Sequence, residues 1–158
     1  MQATAIAQPN IALIMYWGKR DTERNLPAVG SISVTLRELH TRMTVAFDDT
    51  LASDTLTVNG AADENMLPRL SACLDRVAGP ERSSARIAST CNFPIAAGLA
   101  SSASSFAALT VAASAAAGRN YATAELASLA GEASGSAARS LLGGFVELSN
   151  VDDGIAVE

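Results

Sequence analysis

Hydrophobic and polar positions along this 158-residue chain change period several times, and each change marks an element. Ala3-Thr4-Ala5-Ile6-Ala7 alternates and breaks at Pro9-Asn10, which predicts a strand followed by a turn. Ile11 to Trp17 is almost continuously apolar, so a strand buried on both faces is expected there. It opens into a polar loop, Gly18-Lys19-Arg20-Asp21, that continues through Asn25-Leu26-Pro27. Ser31 to Leu36 alternates as a strand. Met43, Val45 and Phe47 alternate with Arg42, Thr44 and Ala46, and Leu56 and Val58 repeat the pattern before an Asn59-Gly60 turn. These last two segments are expected to pair antiparallel around the acidic loop from Asp48 to Asp54.

Beyond the turn the period lengthens. Leu67, Leu70, Leu74 and Val77 recur at helical spacing, predicting a helix from Asp63 to Val77 that Gly79-Pro80 ends. Ala85 to Ser89 reads as a strand leading to Asn92-Phe93-Pro94. The alanine-rich run Ala103 to Ala117 predicts a helix stopped by Gly118. Another helix follows a cap at Thr123, with Glu125 favouring its first turn. Ser134-Gly135-Ser136 leads into a short helix ending at Gly143-Gly144, and Phe145 to Leu148 returns as a strand. Strands first and helices later predict an α+β fold: one mixed, mostly antiparallel sheet packed by helices. No internal repeat or linker divides residues 1–158.

Composition narrows the class. The chain is 49% apolar and 17% charged, enough for a packed core and too apolar for a disordered tail. Sixteen acidic residues against 11 basic ones give a net charge of −5, the wrong sign for coating nucleic acid. No nucleic-acid partner is expected, and an anionic ligand must be held by local donors. One histidine, His40, and two cysteines, Cys73 and Cys91, are too few for a structural zinc site. Both cysteines lie in apolar surroundings and are expected to be reduced and buried. The first residues lack a basic-then-apolar leader pattern, and no stretch approaches the roughly 20 apolar residues of a spanning helix. A cytoplasmic protein without a membrane partner is expected.

Candidate chemistry concentrates in three segments. In Pro94-Ile95-Ala96-Ala97-Gly98-Leu99-Ala100-Ser101-Ser102-Ala103, the glycine permits close backbone approach and the serines stand where a long helix begins. A helix start offers unpaired N–H groups and a partial positive charge, which suit a phosphate. Ser101 and Ser102 add hydroxyls, one of which can join a magnesium ion held mainly by phosphate oxygens; ordinary capping explains the same residues equally well. Ser134-Gly135-Ser136-Ala137-Ala138-Arg139 repeats the arrangement, with a guanidinium able to fork onto phosphate or carboxylate. Tyr16-Trp17-Gly18-Lys19-Arg20-Asp21 places the chain's single lysine directly after an apolar strand, as a phosphate contact or as a solvated turn. His40 reads as a surface residue and Asp152-Asp153 as a turn. No Ser/His/Asp triad is present.

Together these segments resemble the mevalonate diphosphate decarboxylases of the GHMP kinase superfamily. The matching stretches are Asn10 to Ile14, Tyr16 to Asp21, Ser31 to Leu36, Asn92 to Ala103 and Ser134 to Gly144, in family order. The resemblance implies the family's N-terminal domain over residues 1–158, similar to the second domain of a small-ribosomal-subunit protein. It also implies a truncated chain without the C-terminal GHMP domain. The implied activity is ATP-dependent: phosphorylation of the tertiary 3-hydroxyl of mevalonate 5-diphosphate, then loss of that phosphate with carbon dioxide to give isopentenyl diphosphate. Tyr16, Trp17, Gly18 and Lys19 would hold the substrate's diphosphate and carboxylate together with Ser134, Gly135, Ser136, Ala137, Ala138 and Arg139. Arg69, at a matching spacing before Cys73, would join them. Ala97, Gly98, Leu99, Ala100, Ser101, Ser102 and Ala103 would cradle ATP, with Ser102 nearest Mg²⁺.

Three departures qualify the resemblance. Met15 stands where the family usually has lysine, and Val29-Gly30 replaces a polar pair. The catalytic aspartate motif of the family's C-terminal half has no match, so no catalytic residue is expected in this chain. A sibling kinase that does not decarboxylate stays open, as does a non-catalytic half-protein that binds nucleotide. The partners left open are a second copy or a separate C-terminal half.

Overall fold

The computed structural model describes residues 1–15, 18–94, 101–152 and 154–158. The fold is α+β. Strand β1 (Gln2–Ala7) pairs antiparallel with β6 (Thr41–Phe47), which pairs antiparallel with β9 (Ala85–Cys91). Beyond β9, β7 (Thr55–Val58) runs parallel to it and turns through Asn59-Gly60 into β8 (Ala61–Ala62). Asn59 and Gly60 have φ of 50° and 85°, the pairing of positive values that a tight two-residue hairpin needs. A second, antiparallel sheet has the order β11 (Gly154–Val157), β10 (Phe145–Val151), β5 (Ser31–Thr35) and β2 (Asn10–Ile14). Two short strands, β3 (Lys19–Asp21) and β4 (Leu26–Pro27), form a separate hairpin.

The expected single sheet is therefore three, and the expected β6–β7 pair does not form. Strand β9 lies between them. Its alternation is the cleanest in the chain: Ala85, Ile87 and Ser89 point inward while Arg86, Ala88 and Thr90 stay exposed. The strand bonds β6 along one edge and β7 along the other, so β7 lies outside it. The expectation of a doubly buried strand after Ile11 also fails. Strand β2 is an edge strand, and Leu13, Ile14 and Met15 are 57%, 58% and 62% exposed.

The core lies between the first sheet and the helices. Helix α2 (Ser101–Ala116) packs on β1 and β6 and against helix α1 (Leu67–Ala78). Its alanines allow it to be enclosed on most sides: Ala103, Ala107, Ala108, Ala112 and Ala113 are all buried around Phe106 and Leu109. Met43, Val45 and Ile87 meet it from the sheet, and Leu74 and Val77 from α1. Helix α1 starts four residues later than its apolar spacing predicts. The Asp63 carboxylate accepts the N–H groups of Asn65 and Met66 in a turn that precedes the helix, and Pro68 follows at its start. In helix α3 (Thr123–Ala133), Ala122 rather than Thr123 occupies the cap, and its N–H donates to the Glu125 carboxylate at 2.8 Å. No helix of the described residues is long and apolar enough to cross a membrane.

Gly30, just before β5, lies close against the backbone of β10. A Cβ there would lie 2.7 Å from the Leu148 carbonyl oxygen, a backbone atom that no side-chain rotation can move aside. Gly30→Ala is expected to cost about 1 to 3 kcal/mol through forced separation of the strands. A urea midpoint unchanged from the parent would show that the strands can part there.

Candidate functional site

Two polar centres emerge, on different elements. The first is a cleft of about 280 Å³ where α2 begins. Leu56, Val58, Met66 and Leu70 give it an apolar wall, while Ser101, Ser102 and Ser105 line the helix side. Ser101 and Ser102 are half-buried, and Ala103 behind them is fully buried. Ser104 faces the other way: its hydroxyl donates to the Ser101 carbonyl at 3.1 Å and bonds Thr41 Oγ1 at 2.8 Å. It thus ties the helix start to β6. A serine run on a helix divides in this manner, since neighbours lie about 100° apart around the axis. Ala97, Gly98, Leu99 and Ala100, which lead into this helix, lie outside the described residues.

Arg69 stands on the same cleft, in the first turn of α1, with its guanidinium carbon 5.0 Å from the centroid of the Phe106 ring. Cys91, expected to be buried, is half-buried and lines the cleft, because β9 runs further than predicted and carries it to the sheet's end. Cys73 is buried as expected; burial pushes its thiol up to about 11, against a smaller opposing pull from the Thr110 hydroxyl. It is an inert packing group, not a nucleophile.

The second centre surrounds Arg139. This arginine sits on a short 3-10 helix (Ala137–Leu141) and is only 2% exposed. One of its terminal nitrogens donates to Ser31 Oγ and the other to Asn10 Oδ1 at 3.4 Å. Asn10, itself buried, donates from Nδ2 to the Ser136 carbonyl at 3.0 Å and to Ser140 Oγ at 2.7 Å. The first residues of β2 and β5 thereby grip both ends of the 3-10 helix, and Ala137 and Ala138 are buried beneath it. Ser134 and Gly135 form the half-buried turn leading in, with the Ala137 N–H bonding the Ser134 carbonyl at 2.7 Å. Asn10, Ser31 and Ser140 drew no individual role from the sequence. The only advance sign was a buried-strand pattern interrupted by polar residues: Asn10 before Ile11, and serines alternating through Ser31-Ile32-Ser33.

The remaining candidates separate from these centres. Tyr16 and Trp17 lie outside the described residues. Gly18 adopts φ of 73° and its carbonyl accepts the Ala28 N–H, while Lys19 is exposed on β3. Arg20 donates to the carbonyls of Val151 and Gly154, so it fastens the β3–β4 hairpin to the turn between β10 and β11. Asp152 is exposed in that turn. His40 holds Asn92 through its backbone, accepting at its carbonyl and donating its N–H. Among the described residues no group of three or more His, Cys, Asp or Glu side chains could hold a metal ion.

Comparison with known proteins identifies the family. Residues 7–156 match the model of the diphosphomevalonate decarboxylase-like N-terminal domain. The diphosphomevalonate decarboxylase of Ganoderma lucidum is 42% identical over 99% of this chain and 45% of its own length. The solved mevalonate diphosphate decarboxylase of Staphylococcus aureus superposes with a TM-score of 0.90 at 39% identity, over 99% of this chain and 49% of that one. A third relative, solved in complex with MVAPP, AMPPCP and magnesium, superposes at 0.89 with 36% identity, over 100% of this chain and 50% of that one. The chain thus spans about half the length of the relatives it matches. It belongs to the family of diphosphomevalonate decarboxylase-like N-terminal domains, within the GHMP kinases.

Proposed function

We propose that this chain supplies the nucleotide-phosphate and substrate-anion sites of an ATP-dependent decarboxylation of mevalonate 5-diphosphate. The observation that carries the reading is the separation of two anion-suited centres. The cleft at the start of α2 offers serine hydroxyls beside an apolar wall, as a nucleotide with its phosphates requires. The buried Arg139, held by Asn10 and Ser31, fixes a positive charge beside the Ser134-Gly135-Ser136 turn, suited to a diphosphate or carboxylate. Holding both reactants in register is the main contribution such a domain makes to phosphoryl transfer. Residues 97–103 cradle the ATP phosphates in this reading. Tyr16 to Lys19 and Ser134 to Arg139 hold the substrate, whose tertiary alcohol is phosphorylated before carbon dioxide leaves. In this reading the general base is the aspartate of the family's C-terminal motif, which has no match in residues 1–158. A second copy or a C-terminal half is the partner proposed to complete the site, in the cytoplasm.

The donor set near Ser102 fits magnesium of the phosphate-bound kind: one hydroxyl at a helix start, with no carboxylate cage among the described residues. Such an ion, when bound, would neutralise charge on the transferring phosphoryl group. Ser102→Ala is expected to weaken Mg·AMPPCP binding about tenfold and leave mevalonate 5-diphosphate binding within about twofold. Unaltered magnesium dependence in this variant would move the metal role elsewhere.

Calorimetry of the 158-residue chain with Mg·AMPPCP and with mevalonate 5-diphosphate tests the main reading. Binding of both supports it, and binding of neither overturns it. A second reading, a kinase that does not decarboxylate, is favoured by the exposed, uncharged Met15 where the family usually has lysine. Parallel assay of ADP and carbon dioxide in the completed enzyme separates them: ADP without carbon dioxide selects the kinase.

A further inference from the structure

We infer that Arg20 is a positioning residue of the substrate-anion site, setting where Lys19 stands relative to the helix that carries Arg139. This rests on the proposed substrate role of Tyr16 to Lys19 and of Ser134 to Arg139. Lys19 is exposed, on a hairpin too small to hold its own shape. Strands β3 and β4 have three and two residues. Opposite Lys19 stands Pro27, which has no N–H to give to the ladder, and the pairing slips between Lys19 and Asp21. Such a hairpin takes its place from whatever fastens it to the rest of the chain.

The fasteners converge on the packing beneath Arg139. Arg20 donates from Nη2 to the Val151 carbonyl at 2.9 Å and to the Gly154 carbonyl at 2.5 Å, closing the hairpin onto the turn between β10 and β11. Asn25, at φ of 54°, donates from Nδ2 to the Gly131 carbonyl of α3 at 2.9 Å. Leu26 is 5% exposed and shares a small core with Ala138, Leu148 and Ile155. Ala138 precedes Arg139 on the 3-10 helix, and Ile155 follows the Gly154 that Arg20 holds. The two segments proposed to hold the substrate, far apart in sequence, thus rest on one packed unit. Asn25 and Leu26 secure the loop and β4, whereas Arg20 secures β3 itself, one planar peptide from Lys19. A diphosphate shared by two cations needs them at a fixed separation, and a lysine on a long flexible stem keeps it only from a fixed backbone. Arg20 commits Nη2 to protein carbonyls, so its effect on the substrate is exerted through Lys19.

Calorimetry with mevalonate 5-diphosphate tests the assignment, on the 158-residue chain and its Arg20→Ala, Arg20→Lys, Lys19→Ala and Lys19→Ala/Arg20→Ala variants. Arg20→Ala is expected to weaken binding about tenfold, and Lys19→Ala at least as much. Arg20→Lys should restore part of the loss, since an ammonium can still reach one of the two carbonyls. In the Lys19→Ala background, Arg20→Ala should cost less than about twofold more, because the group it positions is gone. Losses that multiply in the double variant overturn the assignment. They would show Arg20 meeting the anion directly, acting by its charge, or acting through general loosening, none of which needs Lys19. Arg20→Ala binding as tightly as the parent overturns it too, as does undiminished affinity in Lys19→Ala. The urea midpoint of Arg20→Ala should stay close to the parent's, since the bonds lie at or near the surface. A midpoint that drops sharply makes Arg20 a general fastener instead. A parent chain that binds no mevalonate 5-diphosphate removes the substrate reading itself, and the role of Arg20 with it.

Discussion

Arg139→Ala is expected to lower folding stability by about 3 kcal/mol and to abolish measurable binding of mevalonate 5-diphosphate. The stability loss follows from burial. Truncation at a position 2% exposed strands the Ser31 hydroxyl and the Asn10 carbonyl oxygen, each desolvated and each without its donor. It also loosens the 3-10 helix from β2 and β5, because Asn10 grips Ser136 and Ser140 from the same side. The affinity loss follows from the missing positive charge and from the loosened turn before the 3-10 helix. Arg139→Lys separates the two effects. It keeps the charge but not the fork that bonds Asn10 and Ser31, so it should retain more of the affinity than of the stability. Denaturant midpoints and calorimetry read them independently. Full substrate affinity in a folded Arg139→Ala chain would remove Arg139 from the site.

The second large effect is expected away from the site, at Asp54. Arg82 donates to both Asp54 oxygens, at 2.8 and 2.7 Å, and to Asp75 at 2.9 Å. Its side chain and that of Asp54 are only 9% and 11% exposed. Burial would push the Asp54 carboxyl upward, but bonds from Arg82, Ser71 and the Ala85 N–H outweigh it and hold it at about 2. Asp54→Asn is expected to cost about 3 kcal/mol, mostly from leaving Arg82 under-compensated. The wild-type pair also sets an acid limit. A depressed carboxyl contributes its full stability above the ordinary value near 3.8 and loses it as pH falls towards 2. That contribution is on the order of 1 to 2 kcal/mol after allowing for screening at the rim. Thermal melts across pH 5 to about 2 should therefore fall more steeply for the parent than for Asp54→Asn. Parallel curves would show that other carboxylates govern acid unfolding.

Much of the fold was legible locally. The alternation in β1, β5, β6 and β9 and the apolar spacing of α1 located those elements to within a few residues, because periodicity records which face is buried. Misreadings arose where neighbours in space decide the outcome. An apolar run such as Ile11 to Ile14 has the same composition in an edge strand as in a central one, and only sheet order distinguishes them. Pairing β6 with β7 is the natural local choice, yet β9, distant in sequence, inserts between them. At the candidate site, Ser101, Ser102 and Arg139 were visible as hydroxyls and a guanidinium at predicted helix starts. Asn10 and Ser31 were not, because a polar residue in an apolar strand carries no sign of its partner.

The sequence by itself determined the family and the class of fold, and marked two segments as candidates for anions. Those properties reside in short strings whose backbone and side-chain chemistry is local: a glycine and serines before a helix, or a guanidinium one turn into another. Only the tertiary structure decided which strands are neighbours, which apolar face stays exposed and which residues share a site. Arg139 meets Asn10 across 129 positions and Ser31 across 108, and Arg69 reaches the cleft by leaning on a ring of another helix. Such contacts form only when packing closes the chain over itself. The burial that fixes them is a property of the whole core, not of any one segment.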